Sequence, residues 1–267
     1  MNPSLFESTP QTETAQYQYY EQPLTERLRT FLRLDFLFQQ ADYFLHRPSK
    51  MDSRIAITTL IDLLNVLTRG DIRSDTLKEL DKFSRNLQNY LAYPGVDSDE
   101  LKRQLTDIAQ TRQRLEALGM GLGSELREHE FLNSIKHRSA IPGGACNFDI
   151  PTFAHWLRQP FEHRVSDLEG WYSHITPLHK AIQRVLWLTR ESSQFQEVIA
   201  KHGVYQQQLG RNSQVSLIRV GLPENSPLFP EISGSQHRFT IRFYQPTDIS
   251  ERSKQTDQDT VFRLICC

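Results

Sequence analysis

Cysteine and long apolar runs are both scarce in this chain. The three cysteines, Cys146, Cys266 and Cys267, cannot form a disulfide framework, and adjacent cysteines rarely bridge each other, so a reducing cytoplasm is expected. No apolar run approaches the roughly 20 residues of a membrane span, and the N-terminus lacks the basic and apolar segments of a secretory signal. We therefore expect a cytoplasmic protein with no membrane partner.

An excess of either charge is also missing. The 267 residues include 31 Lys+Arg and 32 Asp+Glu, for a net charge of −1, and 38% of them are hydrophobic. This composition is typical of a soluble globular protein and not of a nucleic-acid-binding polyelectrolyte. The basic residues of 99–116 are interspersed with acids, as on a solvated helix face. Nucleic acid is therefore not an expected partner.

The strings that commonly mark nucleotide-dependent or metal-dependent enzymes do not occur. The chain has no GxGxxG or GxxxxGK[ST] string, and its histidines and cysteines form no HExxH or CxxC pair. The glycines of 119–123 follow no predicted strand and indicate a helix break. We predict no cofactor and no bound metal.

The string IPGGACNFDIP at 141–151 predicts a tight turn that leads into a helix. It contains a Pro-Gly-Gly sequence and ends on a proline suited to a first helical turn, with Asp149 near the N-cap position. Cys146 lies near Asp149 and His155 in sequence, which leaves open a cysteine-dependent hydrolase centred on Cys146. Proximity in sequence does not supply the base that a catalytic thiol needs, so a structural role as a small buried hydrophobic residue is favoured.

Apolar residues recur at helical spacing over most of the first 191 residues. Gly70 and the pair Pro94-Gly95 end two of the predicted helices. Ser74 is the predicted N-cap of the third helix, and Asp97 or Ser98 that of the fourth. The predicted helices cover residues 22–45, 53–68, 75–91, 99–116, 124–137, 151–157, 161–174 and 177–191.

The pattern changes after Ser193, where glycine, proline and short β-like runs become frequent. The predicted fold class is α+β, with a multi-helix domain at 21–193 and an antiparallel β-domain at 194–267. Residues 1–20 are predicted to be a disordered extension with a candidate strand at 17–21, which would pair with the C-terminal third. A flexible loop is predicted at 246–259. The remaining predicted strands cover 195–200, 204–207, 215–222, 237–244 and 260–266.

Two arginines stand out on the predicted strand 237–244. Arg238 and Arg242 are four residues apart, so both point to the polar face, about 13 Å from each other. Arg219, on a strand expected to be a neighbour, would add a third charge. Guanidinium groups bind carboxylates bidentately. The alternative is a solvated strand face with local salt bridges, which composition alone favours.

Five blocks occur in a characteristic order from about Glu21 to the C-terminus: EQPLTERLRTFLRLDFLFQQ, LTRGDIRSDTLKELDKFSRNLQNYL, IPGGACNFDIPT, ISGSQHRFTIRF and the terminal Cys-Cys. Together they resemble the ZapD family of bacterial cell-division proteins. Ala145 departs from the family, which often has another cysteine there, and this argues further against thiol chemistry. A long polar N-terminus is a further departure. So is the acidic Glu130, in a region where family members tend to be more basic, and it argues against a binding role for that part of its helix.

The resemblance implies a non-enzymatic protein with a helical domain and a β-domain. Family members are dimers that bind the C-terminal tail of FtsZ at a basic surface, cross-link its filaments and promote Z-ring assembly at the mid-cell septum. Tail binding is carried onto Arg238 and Arg242, with Arg33, Arg69 and Arg73 as secondary candidates. An adaptor that binds polyanions through the same arginines remains an alternative.

Overall fold

The computed structural model describes residues 16–91, 97–119, 121, 123–210, 213–248 and 250–267. The predicted disorder before residue 16 and the predicted Pro94-Gly95 helix break lie outside these residues. The chain divides into two compact units, one made of Glu26–Ser192 and the other of Met1–Thr25 with Ser193–Cys267. The first is helical and the second contains the strands, which confirms the predicted α+β class.

The helical unit is built around long amphipathic helices. Helix α1 packs on α2 and α9, and α4 packs on α3 and α9. Leucine and isoleucine at helical spacing form the buried contacts, since such residues lie on one face of a helix. The helices are α1 Glu26–Leu45, α2 Lys50–Leu67, α3 Ile72–Tyr90, α4 Ser98–Glu116, α5 Ser124–Glu128, α6 Glu130–Ser139, α7 Pro151–Trp156, α8 Phe161–Ser173 and α9 Thr176–Glu191.

Three predicted helix starts were wrong. Helix α2 begins at Lys50, after its N-cap Ser49, and not at residue 53. Helix α1 begins at Glu26 and not at Gln22, because the preceding residues form a strand. The third helix is capped by Asp71 and not by Ser74, since the Asp71 side chain accepts a hydrogen bond from the Ser74 backbone at 3.0 Å. Asp71 is as good an N-cap as serine and extends the helix to the buried Ile72.

One further local prediction was also wrong. The helix expected at 124–137 is split into α5 and α6 by His129, whose backbone is extended at φ −67° and ψ 113°. Asp149 lies next to the N-cap residue of α7, as predicted; that residue is Ile150, which provides no side-chain hydrogen bond. The Asp149 carboxylate accepts from the thiol of Cys146 instead, at 2.9 Å.

The strand-containing unit holds two antiparallel sheets. One has the order β1-β4-β8-β2, and the other has the order β3-β6-β5 with β7 paired to β6. Sequence analysis missed β5 and also β7, which lies in the predicted 246–259 loop. The strands are β1 Tyr17–Pro23, β2 Gln196–Ala200, β3 Val204–Gln208, β4 Leu217–Pro223, β5 Phe229–Gly234, β6 Arg238–Gln245, β7 Lys254–Gln255 and β8 Thr260–Cys266.

The N-terminal strand joins the first of these sheets. β1 pairs with β4 along its whole length, from Tyr17 opposite Pro223 to Pro23 opposite Leu217. The expected pairing of residues 17–21 with the C-terminal third is thereby confirmed. Leu24, directly after β1, is buried in the same core as the strands of the C-terminal part.

One apolar core is shared by the two sheets. Phe239, Ile241 and Phe243 of β6 contribute to it from one sheet, and Phe262 of β8 contributes from the other. The rings of Phe243 and Phe262 lie 5.0 Å apart, centroid to centroid. Burying each such side chain stabilises the fold by about 1.5–3 kcal/mol. This burial fixes which face of β6 points outward.

None of the helices in the described part of the chain is both long enough and apolar enough to cross a bilayer.

Candidate functional site

The outer face of β6 presents both of the arginines singled out in the sequence. Burial alternates along the strand, so that Arg238 and Arg242 are exposed while Phe239 and Ile241 are buried. The predicted placement of the two arginines on one polar face is confirmed. β6 is hydrogen-bonded to β3 on one side and to β5 on the other. Its backbone is therefore held rigidly, and the arginine Cα positions with it.

The neighbours of the two arginines are set by the register of the sheet. Arg242 lies opposite Val204 of β3 and Glu231 of β5, and Arg238 lies opposite Gln208 of β3. Residues directly opposite each other on antiparallel strands point to the same face. In the described part of these three strands, Glu231 is the one acid on the outer face.

An open concavity of about 530 Å³ lies over this face. Among the described residues, neither arginine has an ion pair or a side-chain hydrogen bond. The two guanidinium groups are therefore available to an external anion. The concavity is lined by Val204, Gln206, Ser233, Gly234, Ser235, Arg238, Phe239, Thr240 and Arg242.

Arg219 is placed elsewhere. It lies on β4, between β1 and β8 in the other sheet, so the expectation that its strand neighbours β6 was wrong. Its Nε is 3.0 Å from the Glu21 carboxylate, with 16% of the arginine side chain exposed, and its guanidinium lies 4.8 Å from the Tyr19 ring centroid. A local acid and an aromatic ring engage this arginine, which makes it a weaker anion-binding candidate.

Arg73 is engaged at a helix end. Its guanidinium donates to the carbonyl oxygens of Leu115 at 3.1 Å and of Glu116 at 2.9 Å. These are among the last carbonyls of α4, which have no partners within the helix. Arg73 therefore ties α3 to the C-terminus of α4, although it also lines a concavity of about 260 Å³ beside Gly70.

Arg33 and Arg69 remain at the surface of the helical unit. The Arg33 side chain is 59% exposed, and its guanidinium lies 3.9 Å from Glu26. Arg69 is exposed in the turn after α2. Both belong to a different unit from Arg238 and Arg242.

The residues of the alternative hydrolase do not form a catalytic pair. The Cys146 thiol donates to Asp149, whereas the His155 ring makes its hydrogen bond with Gln159, at 2.8 Å. A nucleophilic cysteine needs a base that can take its proton, and the histidine is engaged elsewhere. In the part of the chain that is described, no cluster of three or more His, Cys, Asp and Glu side chains could hold a metal ion.

Sequence reasoning missed Glu231 as a neighbour of the arginines because it missed strand β5. The alternation of side chains typical of a strand was present in this segment, with Phe229, Glu231 and Ser233 on one face. Pro230 and Gly234 obscured it, since both residues are disfavoured inside strands. The pairing with β6 could not be read from the sequence, because register depends on a contact between separate segments.

A helical unit joined to a two-sheet unit that presents an available basic face has the features of a binding protein. Comparison with known proteins identifies the family. The ZapD family model, described as a cell division protein, matches residues 32–242. The chain belongs to the ZapD family of cell-division proteins and, as a member, is not an enzyme.

Curated relatives match nearly the whole chain. The cell division protein ZapD of Ralstonia pickettii (strain 12J) is 39% identical over 250 residues, covering 93% of this chain and 98% of the relative. That of Methylococcus capsulatus (strain Bath) is 37% identical over 249 residues, with 93% and 97% covered. That of Coxiella burnetii (strain RSA 331) is 35% identical over 250 residues, with 93% and 96% covered.

Proposed function

We propose that this protein binds the C-terminal tail of FtsZ on the outer face of β6, and that as a homodimer it cross-links FtsZ filaments at the mid-cell septum to promote Z-ring assembly. The observation that carries the proposal is the pair Arg238 and Arg242. Both are exposed, neither has a partner among the described residues, and they line one concavity of about 530 Å³. Membership of a cell-division family supports the same conclusion.

The spacing of the two guanidinium groups favours an extended ligand. Residues four apart on a strand are separated by about 13 Å, and an extended peptide repeats that spacing between its own residues i and i+4. In a helical peptide the same two residues would be only about 6 Å apart. An extended tail with acids four residues apart therefore matches the pair, with each carboxylate bound by one guanidinium.

Filament cross-linking follows from the number of sites. One site on each protomer lets a dimer hold two tails, and the two tails can come from two filaments. Each contact is modest, because exposed charges are screened and the tail loses conformational entropy when it is ordered. A filament presents many tails, so the combined avidity is much stronger than a single contact.

The proposal predicts that the Arg238→Ala/Arg242→Ala variant binds a fluorescently labelled FtsZ C-terminal tail peptide at least about tenfold more weakly than wild type. The reason is that charge-assisted hydrogen bonds contribute about 1.5–3 kcal/mol each. Fluorescence anisotropy measures the affinity. The matched control is Arg252→Ala/Lys254→Ala, which removes two exposed charges from the same unit away from the concavity. Circular dichroism checks that all three proteins are folded.

Equal affinity of the wild type and both variants would contradict this site, and Arg33, Arg69 and Arg73 would be substituted next. Absence of tail binding in the wild type would contradict the function itself. A polyanion-binding adaptor predicts a different result: DNA or heparin would bind through Arg238 and Arg242 as tightly as the tail peptide does. Competition between the labelled tail peptide and heparin separates the two cases.

A further inference from the structure

A second concavity adjoins the first at Arg238. It has a volume of about 560 Å³, its wall is predominantly apolar, and it is lined by Gln208, Leu209, His237 and Arg238. Arg238 lines both concavities. A ligand whose carboxylate binds Arg238 therefore lies beside an apolar surface as well as a basic one.

Leu209 holds a fixed position in this second concavity. It directly follows β3, and its backbone N–H donates to the carbonyl of His237 at 2.7 Å. The preceding residue, Gln208, is paired in register with Arg238. Leu209 also packs in part against the core shared by the two sheets. Backbone pairing and partial burial together hold its remaining exposed surface in the concavity that Arg238 also lines.

We propose that Leu209 receives an apolar side chain of the same peptide whose carboxylate binds Arg238; this inference rests on the proposed function. An extended peptide advances about 3.3 Å per residue, so a side chain one to three positions from the bound acid reaches the neighbouring concavity. The recognised element is then an acid beside an apolar residue. Nucleic acids and heparin have the negative charges but lack this apolar group, so the second concavity selects a peptide over a polyanion.

The test is a double-mutant cycle between the protein and the FtsZ C-terminal tail peptide. The protein variants are wild type, Leu209→Ala and Leu209→Met, and the peptides are the native tail and its single alanine variants at each apolar position. We expect Leu209→Ala to weaken binding of the native tail about fivefold, and Leu209→Met to keep it within about twofold. One alanine variant of the peptide should bind wild-type protein about as weakly as the native tail binds Leu209→Ala. That peptide variant should lose little further affinity when it is combined with Leu209→Ala.

A second measurement uses only wild-type protein, because Leu209 also packs on the core and its truncation can perturb folding. At ~0.5 M salt the exposed arginine contacts are screened, but an apolar contact is not. The affinity ratio between the native tail and the alanine variant should therefore stay about fivefold at low and high salt, while the affinity of both peptides falls.

Two results would overturn the inference in distinguishable ways. In the first, binding depends on Arg238 and Arg242, but the affinity loss of every peptide variant simply adds to that of Leu209→Ala and no loss persists at high salt. The apolar contact then does not exist, and the proposed function stands. If the tail does not bind, or binds independently of the two arginines, the proposed function fails at this surface and this inference fails with it.

Discussion

At the scale of single residues, the charge balance over β6 depends on one acid. Glu231 is exposed and lies directly opposite Arg242. Side chains at such positions have Cβ atoms about 4.5–5.5 Å apart. No ion pair joins Glu231 to Arg242 among the described residues, yet the carboxylate remains close enough to reduce the local positive potential. It therefore competes with the carboxylate of any acidic ligand.

Replacement of this acid should strengthen anion binding. We expect Glu231→Gln to raise the affinity for the tail peptide by about two- to fivefold, since an exposed charge pair contributes up to about 1 kcal/mol. Anisotropy at low salt measures the gain. Glu224→Gln removes another exposed acid of the same unit, which does not line the concavity, and should leave the affinity nearly unchanged. Weaker binding by Glu231→Gln would show that the acid positions Arg242 instead of competing with the ligand.

At the scale of secondary structure elements, the contact between α1 and α9 contains a buried histidine. The His179 ring stacks on Phe38 with centroids 4.2 Å apart, and its Nε2 is buried with no hydrogen-bond partner among the described residues. Burial lowers the pKa of His179 below its ordinary value of 6.5, while the Asp42 and Asp35 carboxylates act in the opposite direction. The Asp42 side chain is largely exposed, and its carboxylate lies 3.9 Å from the His179 Nδ1. The effect of burial on the His179 pKa therefore exceeds that of the carboxylates.

This histidine should make stability depend on pH. The unfolded chain takes up a proton at His179 as the pH falls through about 6.5, whereas the folded chain resists protonation, so the free energy of unfolding decreases below that pH. The slope contributed by one proton is at most about 1.4 kcal/mol per pH unit. Urea denaturation at pH 7.5 and pH 5.5 measures the difference. His179→Phe, which keeps the stacking on Phe38, should reduce it.

The exposed His46 provides the matched control for that experiment. His46→Gln replaces a histidine whose side chain is 65% exposed, and the pH dependence of unfolding should remain close to that of wild type. If His179→Phe keeps the wild-type pH dependence as well, other groups are responsible for it, and the buried ring does not determine the acid sensitivity of this helix contact.

At the scale of the whole molecule, bundling should be strongly salt-dependent even though the net charge is only −1. The proposed binding relies on a local basic face and is multiplied by avidity, so a small loss of affinity at each site would become a large loss for the filament. We expect FtsZ bundling, followed by light scattering or sedimentation, to fall steeply between ~0.05 M and ~0.5 M salt, where the Debye length shrinks to about 4 Å. Equal bundling at both concentrations would contradict an electrostatic site.

Much of the fold was predictable because its signals are local. Helical spacing located most of the helices, and the change in composition near Ser193 located the start of the strands. Errors occurred where two local signals competed, as at the start of α1, where Gln22 and Pro23 continue β1. The pairing of β1 with β4 is a contact between distant segments, and it extends the strand beyond the boundary that local spacing indicated.

The sequence by itself determined that Arg238 and Arg242 share a face, because side chains alternate along any strand and the apolar residues between them must be buried. Only the tertiary structure decided what surrounds them. The strand order places Arg219 in the other sheet against Glu21, and the register places Glu231 opposite Arg242 and Leu209 beside Arg238. Strand order and register arise from contacts between segments far apart in the chain, and no local periodicity encodes them.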